Sequence, residues 1–126
     1  VTSFRVVTVP TRDHGDVDTL CPTWCTGDYH QVNGWRVDIT HTSAEQELKV
    51  PTSSGPAVVL RFVFEQRPFT DKPLGTRPFV SVEIDGDWYP MGPHALDALA
   101  QALVDRAAEV RVAARQLLTL LAKEHR

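Results

Sequence analysis

A chain of 126 residues with 42% hydrophobic and 23% charged content has the make-up of one ordinary globular domain with room for a modest core. Its net charge of −3 disfavours nucleic acid as a default partner, because phosphate binding wants a basic face. No apolar run reaches the roughly 18 residues that a membrane span needs. No secretory h-region is visible, although the start at Val1 rather than Met leaves room for residues upstream.

Residues 4–9 alternate with β-branched side chains and predict an opening strand that ends at Pro10. Residues 11–20 are polar and rich in Asp, and predict a loop. The segment 21–41 holds both cysteines and two of the five histidines. Within it residues 35–40 alternate, which predicts a short strand that delivers His41 at its end. Residues 45–50 form another candidate strand, closed by the turn signal Pro51-Thr52-Ser53-Ser54-Gly55-Pro56.

Residues 57–65 carry the strongest strand pattern, with Val58, Leu60, Phe62 and Phe64 on one face. After a Pro- and Gly-rich connection, residues 79–84 put Val80, Val82 and Ile84 on one face. Asp85-Gly86 reads as a two-residue hairpin turn into Asp87-Trp88-Tyr89. From Pro93 the period becomes 3.6, and no Gly or Pro follows up to Arg126. Leu96, Leu103, Val110 and Leu117 recur every seven residues, flanked by Leu99, Ala100, Ala107, Ala114 and Leu121. About 30 helical residues span about 45 Å at 1.5 Å each, against about 20 Å for strands of ordinary length. The helix is therefore expected to overhang its sheet. With Leu118 and Leu120 it spreads apolar surface around the cylinder, and this predicts homodimerisation or partner binding through Leu103, Val110, Leu117, Leu118 and Leu121. A helix broken near 110–114 and folded back is the alternative, but no breaker residue marks a bend.

The chemistry concentrates in Cys21-Pro22-Thr23-Trp24-Cys25 with His30 and His41. Two thiolates and two imidazoles suit tetrahedral zinc. Pro22 stiffens the Cys-x3-Cys turn, and Gly27 frees the backbone to bring His30 back. Four protein ligands leave no open position, which describes a structural site. His14 and Asp28 are substitute ligands; displacement of a main ligand by water would open a hydrolase centre with one of them as general base. A single disulfide is the other use of two cysteines, although disulfide-dependent domains usually carry more pairs. His41 could instead cap a strand or bond to Asp38, Trp24 and Trp35 are expected to cover the loop, and His94 and His125 to be solvated. No Gly-rich phosphate loop, His-Glu-x-x-His or nucleophile elbow is present.

The run Trp24-Cys25-Thr26-Gly27 with His30, followed by Asp38-Ile39-Thr40-His41, resembles a family of small actinobacterial, Streptomyces-type proteins catalogued as a domain of unknown function. The likeness continues through Glu65-Gln66-Arg67-Pro68-Phe69, Phe79-Val80-Ser81-Val82-Glu83-Ile84 and the Leu-rich helix. It implies a cytoplasmic accessory or regulatory factor whose shared Cys, Cys, His and His positions fall on Cys21, Cys25, His30 and His41. The expected fold is α+β in one domain: a β-rich part, 1–92, of small antiparallel sheet with a zinc-knuckle-like loop at 21–41, and a long helix, 93–126, across a sheet face. The expected function is non-enzymatic, with a metal-dependent hydrolase and a DNA-binding regulator as alternatives.

Overall fold

β1 (Phe4–Thr11) and β2 (Gly15–Pro22) form an antiparallel hairpin in continuous register from Phe4↔Pro22 to Thr11↔Gly15. The computed structural model describes residues 4–27, 30 and 33–124. The hairpin corrects the loop expected at 11–20. Asp16, Asp18 and Leu20 point outward while Val17 is half-buried and Thr19 and Cys21 are buried, so the alternation is real, but Val17 is the one aliphatic side chain on its inward face. Gly15, at φ +61°, takes the left-handed conformation that closes the turn after Arg12-Asp13-His14.

The hairpin also organises the segment after the cysteine loop. The Arg12 N–H donates to the Gly34 carbonyl at 2.8 Å, and the Asn33 N–H donates to Pro10 at 3.2 Å. Asp13 accepts the Arg36 N–H at 3.0 Å. That last bond satisfies a free donor at the start of a 3-10 helix, Arg36–Asp38, where a strand was expected. The alternation of residues 35–40 is not a sheet pattern: Trp35 and Val37 are exposed, and only Ile39 is fully buried.

The five-stranded sheet comprises β3 (His41–Thr42), β4 (Gln46–Val50), β5 (Ala57–Gln66), β6 (Phe79–Ile84) and β7 (Asp87–Met91), all antiparallel. β5 carries β3 at its C-terminal end and β4 along the rest of the same edge; β6 and β7 follow on the other side. Asp85 (φ +53°) and Gly86 (φ +87°) make the tight turn between β6 and β7. Register puts Leu60, Phe62 and Phe64 beside Ile84, Val82 and Val80 on one face. The other face carries Arg61, Val63 and Glu65 opposite Glu83, Ser81 and Phe79. There Arg61 bonds Glu83 at 2.6 Å and Glu47 at 3.1 Å, with Glu45 at 3.8 Å. Phe79, Val80, Ser81 and Val82 are all buried, as befits a strand covered on both sides.

The chain divides into two units, Val1–Gly92 and Pro93–Arg126. Taken by itself, the second is a single helix, α1 (Pro93–Glu124), of 32 residues without the break at 110–114. Leu103, Val110, Leu117, Leu118 and Leu121 are exposed. No helix among the described residues is long and apolar enough to cross a membrane. The class is α+β, with antiparallel sheets and one long C-terminal helix.

Candidate metal centre

The end of β2 fixes the first sulfur. Cys21 pairs with Arg5 across the hairpin and is fully buried, so its Sγ is held by two strands rather than by a free loop. The chain then turns sharply, the Cys25 N–H donating to the Pro22 carbonyl at 3.0 Å. That turn brings the second sulfur back towards the first. The Gly27 N–H donates to Cys25 Sγ at 3.3 Å. Gly27 sits at φ +81°, a conformation costly for a side-chain-bearing residue, and a Cβ there would lie 3.3 Å from the Arg5 guanidinium. The Thr26 N–H reaches the Thr42 carbonyl at 3.0 Å, which ties the cysteine turn to β3.

His41 opens β3 and is fully buried; His30 is half-buried. One atom from each of Cys21, Cys25, His30 and His41 lies within 4.8 Å of every other, so the four could hold a metal ion. His30 Nε2 stands 3.7 Å from Cys21 Sγ, 3.6 Å from Cys25 Sγ and 3.0 Å from His41 Nδ1. The imidazole rings meet edge to face at 88°. On the far side of its ring, His41 Nε2 lies 3.3 Å from Thr19 Oγ1. With the hydroxyl accepting the Nε2–H, the Nδ1 lone pair is left facing the cluster. His41 and the 3-10 helix thus reverse one expectation: His41 begins its strand, and the Asp38 carbonyl accepts from Thr40 at 2.9 Å.

The local electrostatics favour neutral groups. Burial, reinforced by the neighbouring His30, pushes His41 down to about 4. Burial and then the Arg5 charge lower His30. Burial raises the Cys21 thiol, as does Cys25, while Arg5, 4.0 Å from its sulfur, pulls the other way. Neutral imidazoles present lone pairs near pH 7 without a competing proton. Buried thiols need a nearby cation to ionise. Both cysteines are free of a disulfide.

His14 lies outside this cluster, in the hairpin turn, exposed, with Nδ1 2.9 Å from Asp13. Asp28 and His125 lie outside the described residues. Trp24 packs near Phe64, with ring centroids 6.1 Å apart, whereas Trp35 is half exposed. His94 is exposed. Sequence reasoning missed Thr19 and Arg5. Thr19 carries a retrievable signal, lying two residues before Cys21 and so on the same side of β2. Arg5 carries none, because only the pairing of β1 with β2 places it beside Cys21.

The sequence profile of a family described as a domain of unknown function, DUF6907, matches residues 6–119, a stretch that includes all four Cys and His positions. No curated protein and no solved structure matches the chain.

Proposed function

The chain belongs to that family of unknown function, and on that premise we propose that it is a non-enzymatic, zinc-stabilised interaction protein. The observation that carries the zinc reading is the mutual spacing of the four ligand atoms. Bond lengths of about 2.3 Å to sulfur and 2.0–2.1 Å to nitrogen, placed tetrahedrally, give edges of about 3.6 Å between S and N and about 3.3 Å between N and N. The three separations that meet at His30 Nε2 are 3.6, 3.7 and 3.0 Å, and all four ligand atoms lie within 4.8 Å of one another. His30 Nε2 faces two sulfurs and a second imidazole nitrogen at once, and a single proton on it can serve only one of those partners. A divalent cation serves all four groups. Two soft sulfurs with two imidazoles favour zinc over the hard cations that prefer oxygen.

Bound there, zinc would supply a cross-link and a counter-charge for two buried thiolates. The protein's own residues do the rest: β2 holds Cys21, the Pro22–Cys25 turn holds Cys25, and Thr19 orients His41. The ion would join the two-stranded hairpin to the edge of the five-stranded sheet, because Cys21 lies in β2 and His41 in β3. A full set of four protein ligands supports a structural role over a hydrolytic one, which needs an open position. The interaction part of the reading rests on α1. Leu96, Leu103, Val110 and Leu117 alternate along it with Ala100, Ala107 and Ala114, a stripe in which small residues would let a second copy of the helix approach closely.

Elemental analysis of the purified protein is the test, with zinc expected at one ion per chain. Cys25→Ser should lower zinc content and melting temperature together. Full stability of a metal-free wild-type protein would falsify the structural-zinc reading.

A further inference from the structure

Taken by itself, α1 leaves its apolar face open: no residue along its described length is buried, and Val110 and Leu117 are 68% and 55% exposed. The stripe that carries them steps alternately by four and three residues, from Leu96 through Ala100, Leu103 and Ala107 to Val110, Ala114, Leu117 and Leu121. That series of steps reads the same in either direction. A second copy run the opposite way therefore meets the stripe position for position. Large and small side chains alternate along most of it, so the reversed copy sets Ala100 against Leu117, Leu103 against Ala114 and Ala107 against Val110. Each of these small residues then receives a large one, the interdigitation that fills a helix interface without voids. A parallel copy in register would set each residue against itself, leucine on leucine and alanine on alanine, which alternates bulges with gaps.

Charge points the same way. Up to Asp105 the helix carries Asp97 and Asp105 and no Lys or Arg, whereas from Arg106 to Glu124 it carries four cations against two carboxylates. A reversed copy lays the acidic part of one helix along the basic part of the other and opposes their dipoles. A parallel copy lays like against like. Size and charge are separate properties of the sequence, and both select a second copy in the reversed direction.

We propose that α1 pairs with the α1 of a second copy in antiparallel register, about a two-fold axis that passes between Ala108 and Glu109. The interface is isologous, so the same patch serves both copies. This inference rests on the reading of α1 as a dimer helix and adds its direction, its register and a consequence. The two Pro93 residues, where each first unit joins its helix, stand about 45 Å apart along the helix axis. The assembly is then a spacer with one first unit attached at each end, rather than two first units attached side by side.

The test is double electron–electron resonance on the full, zinc-loaded chain. A nitroxide is attached to an introduced p-acetylphenylalanine in place of Asp105 or Lys123, so that Cys21 and Cys25 stay untouched. Both residues lie on the side of the helix away from the stripe. Antiparallel pairing offsets the two labels by about 10 Å along the axis in the Asp105 variant and by about 45 Å in the Lys123 variant. The second distance is therefore expected to exceed the first by roughly 20 Å. Equal distances in the two variants would mean parallel helices, and would overturn the proposal while leaving the dimer. A monomeric mass in light scattering, with no dipolar signal in either variant, would remove the dimer reading and this one with it. Charge supplies a second readout with a sign: Asp97→Asn removes an attraction from an antiparallel pair but a repulsion from a parallel one. Its dimer dissociation constant by sedimentation equilibrium should rise about twofold, and a fall would overturn the proposal.

Discussion

Thr19 shows how much the cluster depends on a side chain that holds no ligand atom. Its hydroxyl, 3.3 Å from His41 Nε2, decides which imidazole nitrogen faces inward, and burial of both residues leaves few alternatives. Removing such an orienting partner from a histidine ligand typically costs 10–100-fold in metal affinity. Thr19→Val, close in shape but without the hydroxyl, should therefore weaken zinc binding by at least about tenfold in competition with a chelator, while the hairpin remains folded. An unchanged affinity would show that packing alone sets the ring. Residue identity made the four-residue set legible in the sequence, because thiols and imidazoles advertise metal chemistry by type. The orienting hydroxyl was not legible in that way, since threonine is common on strands and its meaning here comes from a neighbour 22 positions away.

Among the elements, the strands at 57–66 and 79–84 and the helix announced themselves by strong aliphatic periodicity. β2 did not, because its buried face is Thr19 and Cys21. The 3-10 helix at Arg36–Asp38 was hidden for a different reason: it is held by bonds from the hairpin, above all the Arg36 N–H to Asp13. That bond, more than the neighbouring His14, keeps the Asp13 carboxyl below its ordinary value of 3.8. A depressed carboxylate contributes stability above the ordinary value and loses it as pH falls through the depressed one. The Asp13 carboxyl should accordingly titrate below pH 3.8 by NMR, with the Arg36 amide moving in step; a midpoint at or above the ordinary value would remove the tether from the account. Helix α1 presents the opposite case, an element legible in sequence from end to end. Leu117→Lys should shift the solution mass from dimer towards monomer, and an unchanged mass in light scattering would remove the helix-mediated dimer.

For the whole first unit, the cluster sits where the hairpin, the cysteine turn and the edge of the five-stranded sheet meet. Cys21 comes from β2, Cys25 from the turn, and His41 from β3. The interior of this small unit is shared with polar groups: Thr19, His41, Thr42 and Ser81 are buried alongside the aliphatic residues. A small core of this kind gains from a metal cross-link, because ligands deprotonated and gathered by the ion are gathered only in the folded state. The sequence could supply the ligand types and spacing but not this junction, which arises from pairing between segments far apart in the chain. X-ray absorption at the zinc edge on the purified protein tests the central claim most directly. Two sulfurs at about 2.3 Å and two imidazole nitrogens at about 2.0–2.1 Å, with no further light ligand, is the predicted result; an oxygen ligand in place of one of the four, or a shell without sulfur, would contradict it.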